Sequence, residues 1–211
     1  MKLFLTSSCI SENLQKPFLK FLGKPPEQTK LLFIPTASDV ETDKFYTCKS
    51  MDDFSAIGIN PIWYSLKFKT RDQITHELSQ ADVIWVNGGN TFYLLDVARK
   101  TGFMDIVADL VRNKGVRYGG TSAGTILASP NIEAGYWGWD DAGADRNTVD
   151  LKDLSGFGFV PFDSHVHYNP STEKDNLLSK KQGVPIYAIP DGSAVEVHDD
   201  QIITHGDVEI L

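Results

Sequence analysis

Continuous apolar runs alternate with segments of helical periodicity along the first part of the chain. Five runs are apolar at successive positions rather than at every second position: KLFLTSS, LLFIPTAS, PIWYSLKF, ADVIWVNGG and GVRYGG. Strands that are covered on both faces have this pattern, because neither face meets water. The pattern therefore predicts a parallel sheet buried between two layers.

The segments between these runs carry apolar residues at helical spacing, with Gly or Asn near several of their ends. They are NLQKPFLKFLG, DKFYTCKSMDDFSAIG, RDQITHELSQ and NTFYLLDVARKTGFMDIVADLVRNK. A strand followed by a helix, repeated along the chain, predicts a layered α/β fold with a mostly parallel sheet.

The last third of the chain has a different pattern. After a Gly- and Asp-rich segment at 131–159, which is typical of a long functional loop or an insert, four short strands are predicted. They are VPIYAIP, SAVEVHD, QIITHG and DVEIL, of which the last three alternate. Alternation indicates one solvated face, so we expect a small C-terminal antiparallel edge.

Composition limits the function classes. A chain of 211 residues with 41% hydrophobic content suits one domain over residues 1–211. A formal net charge of -8, with no Lys/Arg-rich block, disfavours nucleic acid as a partner.

The apolar start is too short for a signal peptide or a membrane span. Cys9 and Cys48 match no metal-ligand spacing, and a reduced compartment, the cytoplasm, is expected. A homodimer stays open.

A serine lies between small residues where a predicted strand meets a predicted helix. In GGTSAG, the residues Gly120, Ser122 and Gly124 fit the G-x-S-x-G pattern of a sharp strand-to-helix turn that presents a nucleophile. The amide of Ala123 would point at a developing oxyanion. The alternative is an ordinary turn, in which Gly, Ser and Thr also cluster.

Another buried strand ends in NGGN. Its glycines allow backbone amides to approach a ligand, so Gly89 is a candidate for a second oxyanion donor. Taken alone, this stretch is better explained by an ordinary strand-to-helix turn with Asn90 as the N-cap residue. Neighbouring strand ends form the usual ligand crevice of an open α/β sheet, which favours the functional interpretation.

A serine nucleophile needs a base, and histidine suits proton transfer near neutral pH. His165 and His167 follow an apolar segment and share one side of it if it is extended. One is expected to be the base and the other a pocket residue. A metal-binding pair is the competing interpretation, but no third ligand with suitable spacing stands nearby. We therefore predict neither a metal nor another cofactor.

Three ordered motifs resemble the aspartyl dipeptidase (peptidase E) and cyanophycinase family of serine peptidases. They are GGNTFYLL at 88–95, GTSAG at 120–124, and the segment that ends in His167 and Tyr168. The resemblance implies a flavodoxin-like or class I glutaminase-like three-layer α/β/α sandwich. It also implies that Ser122 is the nucleophile, His167 the general base, and the amides of Gly89 and Ala123 the oxyanion hole.

The same resemblance implies an acid that orients the histidine. The family has a glutamate in the turn before its last hairpin, and the matching residue in IPDGSAVEV is Asp191. Asp140 and Asp163 are alternatives, and a Ser-His dyad without a third member also stays open.

The substrate is expected to be a small peptide. Aspartyl dipeptidases carry an arginine after the catalytic histidine, whereas HYNPSTEKDNLLSKK has Glu173 and Lys174 near that place and no arginine. We therefore expect neutral or basic residues to be preferred over aspartate at the P1 position. Residues predicted to contact the substrate are Asn90, His165, Tyr168 and Glu173. An α/β-hydrolase-type esterase and a non-catalytic binding protein remain alternatives.

Overall fold

The computed structural model describes residues 1–138, 144–180 and 183–211. Ten strands lie in these ranges: β1 (Lys2–Thr6), β2 (Leu31–Ile34), β3 (Ile62–Trp63), β4 (Val83–Val86), β5 (Arg117–Thr121), β6 (Asp163–Val166), β7 (Ile186–Ile189), β8 (Ala194–His198), β9 (Gln201–His205) and β10 (Glu209–Ile210). Seven form one sheet in the order β3-β2-β4-β5-β1-β8-β9. The strands from β3 to β1 are parallel, as the continuous apolar runs predicted.

The two faces of this sheet are covered by helices. The described helices are α1 (Glu12–Leu22), α2 (Phe45–Ala56), α3 (Arg71–Leu78), α4 (Thr91–Lys100), α5 (Phe103–Asn113), α6 (Ala123–Leu127) and α7 (Pro170–Lys180). Helices α1 and α2 pack on one face through Phe18 and Phe54, which meet Trp85 edge to face. Helices α3 to α6 pack on the other face, around Ile84 and Val86. The predicted three-layer α/β/α sandwich is therefore confirmed.

The C-terminal strands agree with the sequence in part. Strands β8 and β9 form the predicted antiparallel edge, with β8 paired to β1. The DVEIL segment was wrongly assigned to that edge, because β10 pairs with β7 in a separate three-stranded sheet, β10-β7-β6. An alternating pattern shows that one face is solvated, but it does not tell which of two sheets a strand joins.

Two further segments differ from expectation. The PIWYSLKF run contributes only the two residues of β3, and both are exposed at the sheet edge rather than buried. The predicted long helix after NGGN is divided into α4 and α5 at Gly102, which has φ 75°. In the part of the chain that the structure describes, no helix has the length and apolarity needed to span a membrane.

Candidate active site

Ser122 stands at the carboxyl end of β5, directly before α6, with φ 51° and ψ -112°. Its amide donates to the carbonyl oxygen of Thr6 at 3.1 Å, which ties the turn to β1. Thr125 strengthens this tie, because its Oγ1 donates to the same oxygen at 2.7 Å. The chain therefore holds Ser122 in a strained conformation, at a sharp turn from strand to helix.

The glycines on either side of Ser122 are required by close packing. A Cβ atom at Gly120 would lie 2.6 Å from backbone atoms of Gly124, and one at Gly124 would lie 2.0 Å from the carbonyl oxygen of Val86. Real Cβ contacts are never this short, so the turn can be built only with glycine at both positions. The G-x-S-x-G spacing thus has a steric cause in this chain.

His167 follows β6, where the three-stranded sheet meets the carboxyl end of β5. Its Nε2 atom lies 3.1 Å from Ser122 Oγ. Its backbone amide donates to Ser7 Oγ at 2.7 Å, and its φ of 56° turns the chain as β6 ends. The imidazole is therefore placed within hydrogen-bond reach of the serine by both its backbone and a neighbouring side chain.

Asp191 lies in the turn between β7 and β8 and completes a chain of polar contacts. Its Oδ1 atom is 2.8 Å from His167 Nδ1 and accepts a hydrogen bond from Ser7 Oγ at 2.7 Å. The hydrogen bond with His167 lowers the pKa of Asp191 below its ordinary value, although partial burial acts in the opposite direction. The structure therefore brings together Ser122, His167 and Asp191.

Ser7 was not predicted from the sequence, although it contacts both His167 and Asp191. It is fully buried at the end of β1, 115 positions before Ser122. The sequence signal that could have identified Ser7 is the polar ending of the run KLFLTSS, since this strand end lies at the same edge of the sheet as Ser122. Because such endings are common, that signal did not single out Ser7.

Gly89 has φ 132° beside the carboxyl end of β4. A Cβ atom there would lie 2.4 Å from the carbonyl oxygen of Ala37, so only glycine fits. Gly88 packs directly against Ser122, since a Cβ atom at Gly88 would lie 3.0 Å from the serine's Cβ. Within the described ranges, the amides of Gly89 and Ala123 donate to no protein acceptor. The two predicted oxyanion donors thus remain available to a ligand.

His165 and Glu173 form a buried pair beside the serine. His165 Nε2 lies 3.1 Å from Glu173 Oε1, and Glu173 Oε2 accepts from the Asn169 amide. Burial lowers the pKa of His165, while the charge of Glu173 partly opposes that shift. Both carboxylate oxygens of Glu173 have protein partners. Glu173 therefore does not present a free charge to the P1 residue, contrary to the expectation from the sequence.

Two other predicted substrate contacts lie away from Ser122. Asn90 caps α4 by accepting from the Tyr93 amide at 2.9 Å, and its Nδ2 donates to the Arg146 carbonyl at 3.0 Å. The hydroxyl of Tyr168 donates to Glu209, which also pairs with Lys174 at 2.8 Å. Neither Asn90 nor Tyr168 lines a cavity that contains the serine.

The alternative acids have other surroundings. Asp163 is buried in β6, where it accepts a hydrogen bond from Asn131 Nδ2 at 3.3 Å, and no contact joins it to His167. Asp140 lies outside the described residues. Among the described acids, only Asp191 bonds to the His167 ring. The described residues also contain no group of three or more His, Cys, Asp or Glu residues arranged to hold a metal ion.

Two cavities meet at the serine. The smaller, of about 130 Å³, extends past His165 and Glu173, whereas the larger, of about 450 Å³, extends past Glu41 and Tyr46. Three residues line both cavities: Ser122, His167 and Asp145. Of the residues that the structure describes, no Lys or Arg lines either one. A substrate carbonyl at Ser122 would therefore have an acidic wall beside it.

The chain resembles known proteins along nearly its whole length. The sequence profile of peptidase family S51 matches residues 3–205. An uncharacterised peptidase of Listeria monocytogenes is 30% identical over 206 residues, with 96% of this chain and 97% of the relative covered. One from Pasteurella multocida is 31% identical over 209 residues, with 97% of each covered. Peptidase E of Salmonella typhi is 29% identical over 181 residues, which cover 83% and 76% of the two chains.

Solved structures agree with these matches. A candidate peptidase E from Listeria monocytogenes superposes with a TM-score of 0.80 at 28% identity, with 96% of each chain covered. A peptidase from an acI-B1 Actinobacterium has a TM-score of 0.63 at 18% identity, with 100% of this chain and 96% of the other covered, which supports the fold alone. The resemblance expected from the three motifs is confirmed.

Proposed function

Because the chain belongs to peptidase family S51, we propose that this enzyme is a serine peptidase that hydrolyses dipeptides or short peptides through an acyl-enzyme intermediate. The observation that carries the proposal is the contact of 3.1 Å between Ser122 Oγ and His167 Nε2, continued by the contact of 2.8 Å between His167 Nδ1 and Asp191. This is the order of groups that activates a serine.

In the first half of the reaction, Ser122 Oγ attacks the scissile carbonyl carbon while His167 Nε2 accepts the hydroxyl proton. The carbonyl π electrons move to oxygen, and the amides of Gly89 and Ala123 donate to that oxyanion. The tetrahedral intermediate then collapses. The C–N bond breaks, His167 returns the proton to the leaving nitrogen, and the amine product departs from an acyl-Ser122 ester.

In the second half, water attacks the ester and His167 again accepts the proton. Collapse of the second tetrahedral intermediate breaks the bond to Ser122 Oγ, which takes the proton back, and the acid product leaves. Asp191 stabilises the imidazolium that forms in both halves and fixes the ring tautomer. This positioning role is supported by the contacts of Asp191 Oδ1, which bonds to both His167 Nδ1 and Ser7 Oγ.

For the substrate, strict recognition of an aspartyl side chain is not expected. The described walls of both cavities carry carboxylates and no Lys or Arg that would pair with an aspartate. The acid that supports this inference is Asp145, rather than Glu173, which is engaged by His165 and Asn169. Neutral or basic P1 residues remain the expected preference.

A serine-directed fluorophosphonate and a library of dipeptides and isopeptides test the proposal together. The wild-type enzyme should be labelled at Ser122 and should hydrolyse members of the library. Ser122→Ala should lose both properties while keeping its fold by circular dichroism, and Ser171→Ala, which changes an exposed serine, should keep both. If Ser122→Ala hydrolyses the best substrate as fast as wild type, the mechanism is wrong. Hydrolysis of esters but no peptides would instead favour the esterase alternative.

Separate histidine variants assign the base. His167→Ala should lower kcat/KM by about 100-fold or more, the usual effect of lost general-base catalysis. His165→Ala should have the smaller effect, because its ring bonds to Glu173 rather than to Ser122. The reverse ranking would exchange the roles of the two histidines.

A further inference from the structure

Asp145 is the described carboxylate that stands at the junction of the two cavities, beside Ser122 and His167. It comes from the Gly- and Asp-rich segment between α6 and β6, and its amide is fixed to the Gly135 carbonyl at 2.8 Å. Neither the nucleophile nor the proton-transfer steps use it. Because Asp145 lines both cavities and lies outside the proposed Ser-His-Asp chain, it is a candidate to bind part of the substrate.

We propose that Asp145, assisted by Glu41, binds the free α-ammonium group of the substrate residue whose carbonyl is attacked. This assignment rests on the proposed peptidase function and makes the enzyme selective for substrates cleaved after an unblocked N-terminal residue. The α-nitrogen is separated from the scissile carbonyl carbon by only one atom. A carboxylate that lines both cavities with Ser122 can therefore face this nitrogen, whichever cavity receives the P1 side chain.

The contacts of Asp145 leave room for this ligand. Its Oδ2 atom accepts a hydrogen bond of 2.7 Å from the Thr91 amide at the start of α4, which holds the carboxylate in place. Within the described ranges, Oδ1 accepts no hydrogen bond of ordinary geometry and Asp145 forms no ion pair. An ammonium group would supply the missing counter-charge in a charge-assisted hydrogen bond.

The surroundings are acidic on the substrate side. Glu41 lines the larger cavity together with Asp145, and no Lys or Arg of the described residues lines either cavity at Ser122. Arg146 lines a third cavity, which shares Glu41 and Asp145, but no ion pair joins it to either in the described part of the chain. A cation bound at the junction would therefore meet net negative charge.

Buried hydroxyls stand beside the carboxylates in both cavities. Thr91 is 0% exposed and lines the smaller cavity with Asp145, where its hydroxyl interacts with the Asp145 carboxylate and, against the larger effect of burial, lowers the pKa of that carboxyl. The hydroxyl of Tyr46, on the wall of the larger cavity, makes no hydrogen bond of ordinary geometry in the described part of the chain. These hydroxyls give the cavity walls polar groups that can hydrogen-bond to a substrate.

The ionisation behaviour agrees with this geometry. Burial raises the pKa of Asp145 above its ordinary value, and the charge of Glu41 acts in the same direction. Burial together with Glu41 also raises the pKa of Tyr46 to about 12, so its hydroxyl keeps its proton and can donate. A bound cation would relieve the cost that Glu41 and Asp145 impose on each other.

The test compares four dipeptides, Ala-Leu, Leu-Leu, Asp-Leu and Arg-Leu, with their N-acetyl analogues. Wild type should prefer the free amine. Asp145→Asn should lower kcat/KM for the free dipeptides by about 10- to 100-fold, the range for a lost hydrogen bond to a charged group, and should leave the acetylated ones nearly unchanged. Glu41→Gln should show a smaller loss of the same kind. Asp52→Asn, an exposed acid of α2, should behave as wild type.

Equal wild-type kcat/KM for free and acetylated substrates would overturn the assignment. So would an Asp145→Asn variant that loses the same factor on both, since that indicates a structural role at α4. If Asp145→Asn fails to fold, Glu41→Gln decides, and an unchanged preference there also overturns it. Failure of the proposed function looks different, because Ser122 would then resist fluorophosphonate and no dipeptide would be cleaved by wild type.

Discussion

Ser122 has a backbone conformation that side chains with a Cβ atom rarely adopt. Its φ of 51° and ψ of -112° place it outside the main allowed regions, and hydrogen bonds from Thr125 and from its own amide to Thr6 hold it there. The strain aims Oγ at His167. The strained backbone of Ser122 therefore lowers the stability of the folded protein and at the same time fixes the position of Oγ.

This strain can be measured with two variants that both lack the hydroxyl. Ser122→Gly should be more stable than Ser122→Ala by about 1 kcal/mol, because glycine relieves strain of about 1–3 kcal/mol while losing about 0.5–1 kcal/mol in chain entropy. Urea unfolding at equal pH gives the difference in free energy of unfolding. If the alanine variant is the more stable one, the turn is not strained.

The residues of the site differ in how far the sequence reveals them. Ser122, His167 and Asp191 lie together as the motifs led us to expect, and their catalytic roles stay predictions. Ser7 and Asp145 belong to no recognisable sequence motif, because the groups that each one faces lie far away along the chain. Such encounters depend on how the sheets meet, which residue patterns do not encode.

At the scale of elements, β6 carries a carboxylate that its surroundings disfavour. Asp163 is 6% exposed, and burial raises its pKa above the ordinary value, with the charge of Glu133 adding to the shift and Asn131 partly opposing it. A raised pKa in the folded state means that ionisation costs stability. The penalty is absent below the ordinary aspartate pKa of about 4 and is complete above the raised value.

Asp163→Asn keeps the shape of this side chain and removes the charge. We expect the variant to gain free energy of unfolding relative to wild type at pH 7, and this gain should shrink as the pH falls to 3. Its kcat/KM should stay near the wild-type value, since Asp163 makes no contact with His167. A variant that is equally destabilised at both pH values would show that the Asn131 contact outweighs the cost of burial. A large loss of kcat/KM would revive Asp163 as the orienting acid.

The strand patterns were informative where burial is complete and ambiguous where it is not. β2 and β4 are apolar at every position, and β1 is apolar from Leu3 to Leu5, because helices cover both faces, and the sequence identifies all three strands. β3 and β10 are two residues each and lie at sheet edges, where few buried positions distinguish them from loops. The Gly- and Asp-rich segment was predicted to be a long functional loop or an insert, but nothing in its composition pointed to Asp145 rather than Asp140.

At the scale of the whole molecule, charge should influence how substrates arrive. The formal net charge is -8, and the described walls beside Ser122 carry carboxylates without Lys or Arg. Such a field attracts cations over a distance that salt shortens, from about 30 Å at 0.01 M to about 3 Å at 1 M ionic strength.

A charge series separates this long-range effect from contacts in the site. Raising NaCl from 10 to 500 mM should lower kcat/KM for the cationic Ala-Leu-amide by about threefold. The neutral N-acetyl-Ala-Leu-amide should hardly respond, and the anionic N-acetyl-Ala-Leu should be cleaved faster. Identical responses of all three would show that the net charge does not affect association.

The pairing of β1 has a consequence for how the enzyme is made. β1 lies between β5 and β8. Leu3 therefore pairs with Tyr118, and Lys2 pairs with His198 near the other end of the chain. Contacts between such distant positions slow folding, because a long loop must close, at a cost in chain entropy, before the contacts can stabilise the fold. A nascent chain on the ribosome holds Ser122 and His167 before Asp191 has emerged, while the edge of β1 and Ser7 are still uncovered. With the proposed role of Asp191, we therefore expect activity to begin only after the final hairpin has docked.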